Sequence, residues 1–393
     1  SGVVGSGNLE VIIEKNDEKN NLPSAPLGKG EKENDRHNTA FFIQTSVSGY
    51  KSTWKRVVEN FVKEYQPVGL KFTLNDNGAT PPVVALRLRQ AMELFYGYQG
   101  PSKNYDELGA MKRILAIVDP NTFVEWLGNE KTYSPHLVEL DLPAEADDGI
   151  VIGAATLQGE SLLIAAQKKD FMGGAVGEIH GAKLTGLFKA AVKNKVKMVI
   201  LLIDSGGVRL HEANAGEIAI SEIIRAIYDA RHAGIMTIGV ICGKYGAFGG
   251  MGIISACLDH VIISEIGRIG VSGAEVIQAV KGIEAFNAED RGLIWRVYGG
   301  KTRYLQQMAQ HYVSSDVQEI TETIKNIAKM PRNVLSLDFL KKQHVTLKKR
   351  AELAGDCKEE CEYLEKYFTF AKNIFEDSTK DFLQTASKIL EAK

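Results

Sequence analysis

Four cysteines in 393 residues leave little room for a disulfide framework. Cys242 and Cys257 fall in apolar, core-like segments. Cys357 and Cys361 stand one helical turn apart among Lys and Glu, with none of the Cys/His spacing of a zinc ribbon. A reduced compartment and no metal site are therefore expected. Long apolar runs are missing too: no stretch reaches the roughly eighteen residues of a membrane span, and no basic-then-apolar leader opens the sequence, which favours the cytoplasm. Nor does one sign of charge dominate. Lys and Arg number 47 against 49 Asp and Glu, a formal net charge of −2, so neither nucleic acid nor an anionic membrane surface is expected as a partner. With 44% hydrophobic and 24% charged residues, the chain reads as an ordinary globular protein of two or three domains.

Glycine, by contrast, is concentrated where strands end. The run Tyr245-Gly246-Ala247-Phe248-Gly249-Gly250-Met251-Gly252 follows the strand-like residues 236–243 and leads into an apolar stretch, 253–263, of helix-compatible composition. Met172-Gly173-Gly174-Ala175-Val176-Gly177-Glu178-Ile179-His180-Gly181 and Asp204-Ser205-Gly206-Gly207-Val208-Arg209 repeat the arrangement upstream, the latter after the continuous apolar strand 197–203. None of the three is a G-x-x-x-x-G-K-[ST] phosphate loop or a G-x-G-x-x-G dinucleotide fingerprint. Strand, Gly-rich loop and helix in repetition predict an α/β domain whose loops share a site along one sheet edge. Bare backbone N–H groups there suit an anionic oxygen, although a tight turn needs the same small residues.

Residues 1–98 read as a small α/β unit of order β, β, α, β, α. Its strands fall at 9–14, 41–47 and 70–74, and its helices at 53–65 and from Pro81 or Pro82 to about Tyr96, with a polar loop over 15–38. A Gly/Pro/Ser-containing linker, 99–106, precedes the main domain at 107–330. Residues 331–393 form an amphipathic helical tail dense in Lys, Glu, Leu and Phe, without evident chemistry.

Through Gly173-Gly174 to His180-Gly181, Ser205-Gly206-Gly207-Val208-Arg209 and Gly246 to Gly252, residues 105–310 resemble the carboxyltransferase group of the crotonase superfamily, and more closely the β subunit of malonate decarboxylase. Ser134-Pro135-His136-Leu137, Asp147-Asp148-Gly149, Glu212-Ala213-Asn214 and Gly270 to Ile277 follow in the family's order. Independently, Gly2-Val3-Val4-Gly5-Ser6-Gly7-Asn8-Leu9-Glu10-Val11 and Asn75 to Pro81 resemble that enzyme's acyl carrier (δ) subunit, here N-terminally incomplete and with a longer loop at 15–38. The resemblance implies a crotonase-like (ββα spiral) domain behind a small carrier-like α/β domain. It also implies a phosphoribosyl-dephospho-CoA-type thiol arm on Ser6, a CoA thioester as another form of substrate, a γ subunit that closes the pocket, and an α subunit that exchanges malonate for acetate on the carrier.

Decarboxylation of a malonyl thioester leaves an enolate, for which two N–H donors facing its oxygen suffice, each worth on the order of 3 kcal/mol. Gly249 and Gly250 are the first candidates, Gly206 and Gly207 the second, with Gly173 and Gly174 shaping the cleft or contacting the carboxylate. Phe248, Met251, Phe171 and Met172 either strip water from the departing carboxylate or pack the core. His180, Glu178 and Tyr245 are candidate proton donors. Arg209 either clamps a carboxylate or phosphate or pairs with Glu212 or Glu217. The same loops serve carboxyl transfer from malonyl-carrier to biotin, and a non-catalytic scaffold carrying an inactive carrier fragment is the alternative of another class.

Overall fold

The computed structural model describes residues 8–16, 39–97, 103–128, 130, 132–332, 335–355, 357 and 374–391. Ser6, nearly all of the 15–38 loop, part of the linker and Cys361 lie outside the described residues. Two units emerge from the packing: one over the N-terminal hundred residues together with 373–385, the other over 102–372 with the last few residues of the chain.

In the N-terminal unit, β1 (Asn8–Lys15), β2 (Ala40–Thr45) and β3 (Leu70–Asn77) form a sheet of order β1-β3-β2. β1 lies antiparallel to β3, with Val11 opposite Leu74, and β2 lies parallel to it, with Phe41 opposite Phe72. A parallel pair needs a crossover, and α1 (Lys51–Tyr65) supplies it; α2 (Pro81–Phe95) follows β3 and starts on a proline pair that a first turn tolerates. The expected order of elements is therefore present. The core is aromatic: Phe41 stacks on Phe72 at 4.6 Å and Phe61 meets Phe72 edge-on at 5.6 Å, with Leu74, Val84 and Leu88 around them. Asp76 accepts from Thr45 Oγ1 (2.6 Å) and from the Ala79 N–H (2.7 Å), which fixes the turn from β3 into α2.

The second unit is built on a seven-stranded sheet of order β10-β9-β8-β7-β6-β5-β4. β4 (Val124–Trp126), β5 (Ile150–Leu157) and β6 (Glu160–Gln167) are antiparallel; β7 (Met198–Leu202), β8 (Met236–Ile241), β9 (His260–Ser264) and β10 (His311–Val313) extend the sheet in parallel from β6. α3 (Ala110–Ile117) precedes the sheet, and α4 (Pro135–Glu139) lies between β4 and β5. α5 (Glu178–Asn194), α6 (Asn214–His232) and α7 (Gly250–Ala256) are the crossovers, α8 (Ala274–Lys281) follows β9, and α11 (Val317–Ile327) comes after β10, beyond α9 (Arg291–Tyr298) and α10 (Gly300–Leu305). Every residue of β7, β8 and β9 is buried, as their predominantly apolar sequence requires of a sheet covered on both faces.

One expectation is corrected. The apolar stretch 253–263 is not a single helix: α7 stops at Ala256 and β9 begins at His260. The break falls at Asp259, whose carboxylate accepts from Arg231 Nε (2.7 Å) and from the N–H (3.0 Å) and hydroxyl (2.9 Å) of Thr237. After Gly355 (φ +50), which ends α12 (Leu337–Ala354), the continuously described tail resumes at a short 3-10 turn, Ile374–Glu376, and closes with the helix Thr379–Glu391.

Candidate active site

The loops that leave the carboxyl ends of β6, β7, β8 and β9 converge, and short parallel bridges tie them together: Val176 to Val208, Ser205 to Ala247, and Ala247 to Ile269. All three Gly-rich stretches thus meet, as a shared site along one sheet edge demands. Glycine is needed where backbones touch. A Cβ on Gly174 (φ +69) would run into the Asp204 carbonyl, and one on Gly243 into the Asp204 carboxylate. Gly207 and Gly249 face each other so closely that a Cβ on Gly249 would sit 3.4 Å from the Gly207 Cα and 3.7 Å from the Val208 nitrogen.

Donor availability sorts the glycines. The Gly249 N–H is already given to the Val271 carbonyl (3.1 Å) and that of Gly206 to Gly173 (2.9 Å), while that of Gly207 reaches Ser205 Oγ (3.2 Å). Of the four expected donors, Gly250 alone has an N–H without an acceptor among the described residues, because it opens α7. The Val208 N–H, which composition gave no reason to single out, is likewise without an acceptor among them and stands beside Gly249.

Beneath these loops lies a buried network of charges. Arg209 Nη1 donates to Asp148 Oδ1 (2.6 Å) and Glu212 Oε1 (2.7 Å), and Nη2 to the carbonyls of Ala175 (3.2 Å) and Asp148 (3.4 Å). Its plane lies over the Phe171 ring at 5.2 Å. Arg209 is buried and takes neither the substrate-clamp role nor Glu217; its charge is consumed by Asp148 and Glu212, which need it because an unpaired buried carboxylate is costly. Ser134 Oγ (2.8 Å) and the Glu178 N–H also bond Glu212. Burial opposes its ionisation, but these donors and Arg209 hold the carboxyl below its ordinary range.

His180 is wholly buried on α5. Its main-chain N–H donates to Asp148 Oδ2 (2.7 Å), its Nδ1 meets the Asp148 carbonyl (3.2 Å), and its Nε2 meets Gln167 Nε2 (3.2 Å). Gln167 Oε1 accepts the Asp204 N–H (3.1 Å), so its amide nitrogen is the donor toward the imidazole. The ring is then neutral, protonated on Nδ1, with both nitrogens engaged. Burial, followed by the Arg209 charge, pulls its pKa down to about 3. In place of the expected acid, His180 is a brace between β6, α5 and the Asp148 turn. Phe248 is also a core residue: it packs edge-on against Tyr298 at 5.3 Å, in a cluster with Ala274, Phe286 and Val297.

Asp204, two residues beyond the end of β7, is a third buried carboxyl group. It accepts from Arg113 Nη2 (2.8 Å) and the Tyr245 N–H (2.8 Å), linking α3 and the β8 loop to the β7 loop. Arg113, Gln167 and Asp204 carried no functional signal beyond being polar residues in apolar surroundings. Tyr245 is half-buried, with its ring 3.6 Å from where a Gly173 Cβ would stand. Glu178 is exposed and paired with His136 Nε2 (3.1 Å).

A carboxyl transferase domain model matches residues 103–348, well over half of the chain. The chain belongs to the carboxyl transferase family. This carboxyl transferase is 34% identical over 263 residues to the malonyl-S-ACP:biotin-protein carboxyltransferase of Malonomonas rubra, covering 61% of this chain and 82% of that protein. A chain of the Pseudomonas malonate decarboxylase hetero-tetramer, solved in complex with malonate, superposes with a TM-score of 0.59 at 31% identity, over 67% of this chain and 97% of that one. Residues 31–95 match the malonate decarboxylase delta subunit. The malonate decarboxylase acyl carrier protein of Bradyrhizobium diazoefficiens is 41% identical over 91 residues, 23% of this chain and 70% of that protein. A carrier segment and a carboxyltransferase domain are thus fused in one chain, in that order. Carrier relatives imply a prosthetic thiol arm on this segment. No described helix is long and apolar enough to cross a membrane.

Proposed function

We propose that the chain is the β subunit of a cytoplasmic malonate decarboxylase fused to its carrier, converting malonyl-S-[acyl-carrier protein] to acetyl-S-[acyl-carrier protein] and CO2. The observation that carries this reading is the union, in one chain, of two segments that each resemble a different part of the same enzyme. Ser6 is proposed to carry the arm, of the phosphoribosyl-dephospho-CoA type; the arm supplies a thiol on which malonate is held as a thioester.

Gly207 and Gly249 leave the meeting point of their two loops free of side chains, so that bare main chain is what a thioester would meet there. We assign the enolate oxygen to the N–H groups of Val208 and Gly250, which have no acceptor among the described residues, with Gly206, Gly207, Gly173 and Gly174 shaping the walls. Protonation of the carbanion carbon falls to Tyr245, which stands at the Gly173 loop while the Glu178 carboxylate is held by His136. Leu210 and Val271, on two of the converging loops, expose 82% and 66% of their surface, which supports a γ subunit seated there to close the pocket. An α subunit would reload the carrier with malonate.

The test is an amide-to-ester replacement at Gly250, which deletes one N–H and leaves the side chain unchanged, assayed with the γ subunit. Decarboxylation should slow by about 10²–10³-fold with substrate affinity kept. An unchanged rate would remove Gly250 from the hole, and no activity from the unaltered chain with γ would leave only a scaffold. The similarity to a biotin-protein carboxyltransferase favours one second reading, carboxyl transfer to biotin through the same enolate. Avidin separates the two, because it abolishes turnover only in the biotin route.

A further inference from the structure

Along α5, Ile179, Ala182, Lys183, Gly186, Leu187 and Ala190 recur at three- and four-residue spacing and so share one face. That face and the cross-strand pair Trp126–Ile152 of β4 and β5 line a cavity of about 610 Å³ to which none of the Gly-rich loops contributes. Its volume suits a small molecule, and so does its lining, which is mostly apolar with one buried cation. The α5 wall is kept low. Ala182 and Gly186 are exposed, and a Cβ on Gly186 would meet nothing within 4 Å. Glycine inside a helix is less favourable than any residue but proline, so this opening is held against local preference.

Lys183 is the buried cation, only 7% exposed. Its ammonium carries three donors and gives one to the Asp147 carbonyl (3.0 Å); the other two have no acceptor among the described residues. Nor does it have an anion of its own. The Asp147 carboxylate is paired with Lys168 (3.1 Å) and that of Asp148 with Arg209 (2.6 Å), while Glu125 forms no ion pair with the amine and attracts it only at longer range. Burial opposes the ammonium charge and lowers its pKa from the ordinary lysine value. A buried cation with unspent donors in an apolar cavity calls for an anionic head on an apolar tail.

We propose that this cavity binds an aliphatic monocarboxylate, its carboxylate paired with Lys183 and its chain laid along Gly186 and Ala190 of α5 against Trp126 and Ile152. One ammonium matches one negative charge, whereas the second charge of a phosphate would be left without a partner. The site is separate from the cleft between the Gly-rich loops, and its occupancy is read without turnover.

The experiment is a calorimetric titration of the full-length chain with sodium octanoate, sodium hexanoate and 1-octanol. Octanoate should bind at one saturable site, about tenfold or more tighter than octanol, which keeps the chain and lacks the charge. Hexanoate should bind more weakly than octanoate, by up to about fourfold for each methylene removed. Gly186→Leu places a side chain in the open space and should weaken octanoate by about tenfold or more without lowering the unfolding temperature. Lys183→Met keeps an apolar stem and should bring octanoate down to the affinity of octanol. Should Lys183→Met fail to fold, the comparison of octanoate with octanol on the unaltered chain, together with Gly186→Leu, decides the matter. No saturable binding, equal affinity for acid and alcohol, or octanoate binding indifferent to Gly186→Leu would each overturn the proposal.

Discussion

The two units place their charges oppositely. In the carboxyl transferase domain, Arg113, Asp148, Asp204, Arg209 and Glu212 are all buried and hydrogen-bonded, and they hold the Gly-rich loops in register. In the carrier-like unit the interior is aromatic and aliphatic, Asp76 is buried but bonded to a hydroxyl and a main-chain N–H rather than to a cation, and ion pairs such as Lys71 to Glu14 (3.0 Å) stay at the surface. A site that must hold bare backbone amides against a reacting atom needs rigid loops. Buried, mutually satisfied charges give that rigidity, because any displacement strands one of them. A carrier has only to stay folded while it is handed between sites, for which an apolar core suffices.

The sharpest way to break this contrast is Arg209→Met. It leaves Asp148 and Glu212 buried without their cation and should cost about 3–5 kcal/mol in urea unfolding, nearly the same at low and high salt. Phe72→Ala in the carrier-like unit should cost a similar amount, about 3–5 kcal/mol, by opening a cavity among Phe41, Phe61 and Leu74. Its signature differs: only peptides of the N-terminal unit should exchange faster. Matched destabilisation of both units by either variant would show that the two do not unfold separately.

Acid should distinguish the units next. His180 and His311, both in the carboxyl transferase domain, are held at about 3 and about 4, in each case mainly by burial, and His260 is lowered for the same reason. Each folded-state value lies below the unfolded 6.5, so these groups leave stability untouched above that pH. They weaken the fold as pH falls through it, because the unfolded chain takes up protons that the folded chain refuses. Each fully refused proton is worth about 1.4 kcal/mol per pH unit. No described histidine lies in the carrier-like unit. Its Asp381 carboxyl is held low, first by the hydrogen bond from Lys63, so its contribution is present at neutral pH and lost only below the ordinary carboxylate range. Exchange-monitored acid titration should therefore show the catalytic domain loosening from about pH 6.5 downward and the carrier-like unit only near pH 4. His311→Gln should blunt the first transition, and loosening of both units together would refute the assignment.

Legibility followed the same division. Period-two strands, the α1 stripe and the Pro81–Pro82 start are local signals, and the carrier-like order of elements was readable from them. The continuous apolar run 197–203 announced a buried strand of a helix-covered sheet equally well, and 236–243 a strand. The chemistry was harder to read because it is non-local. Asp148 and Arg209 lie 61 residues apart, and Arg113 and Asp204 91 apart, so no spacing rule joins them. Glycine density located the loops, but which N–H is spent depends on carbonyls such as Val271, contributed by a different strand end. His180 looked catalytic because it follows a Gly-rich turn. Its burial beneath that turn is a tertiary fact.

The smallest effect tests the surface half of the comparison. Lys71→Ala removes an exposed cross-strand partner of Glu14, whose side chains are 40% and 57% exposed. Such pairs contribute about 0.2–1 kcal/mol at low salt and less once screened. Chemical unfolding of the N-terminal unit should therefore shift by no more than that at 50 mM salt and become indistinguishable from the parent at 1 M. A salt-independent loss of several kcal/mol would mean that this pair is anchored like those of the catalytic domain, and burial would no longer be what separates the two kinds of charge.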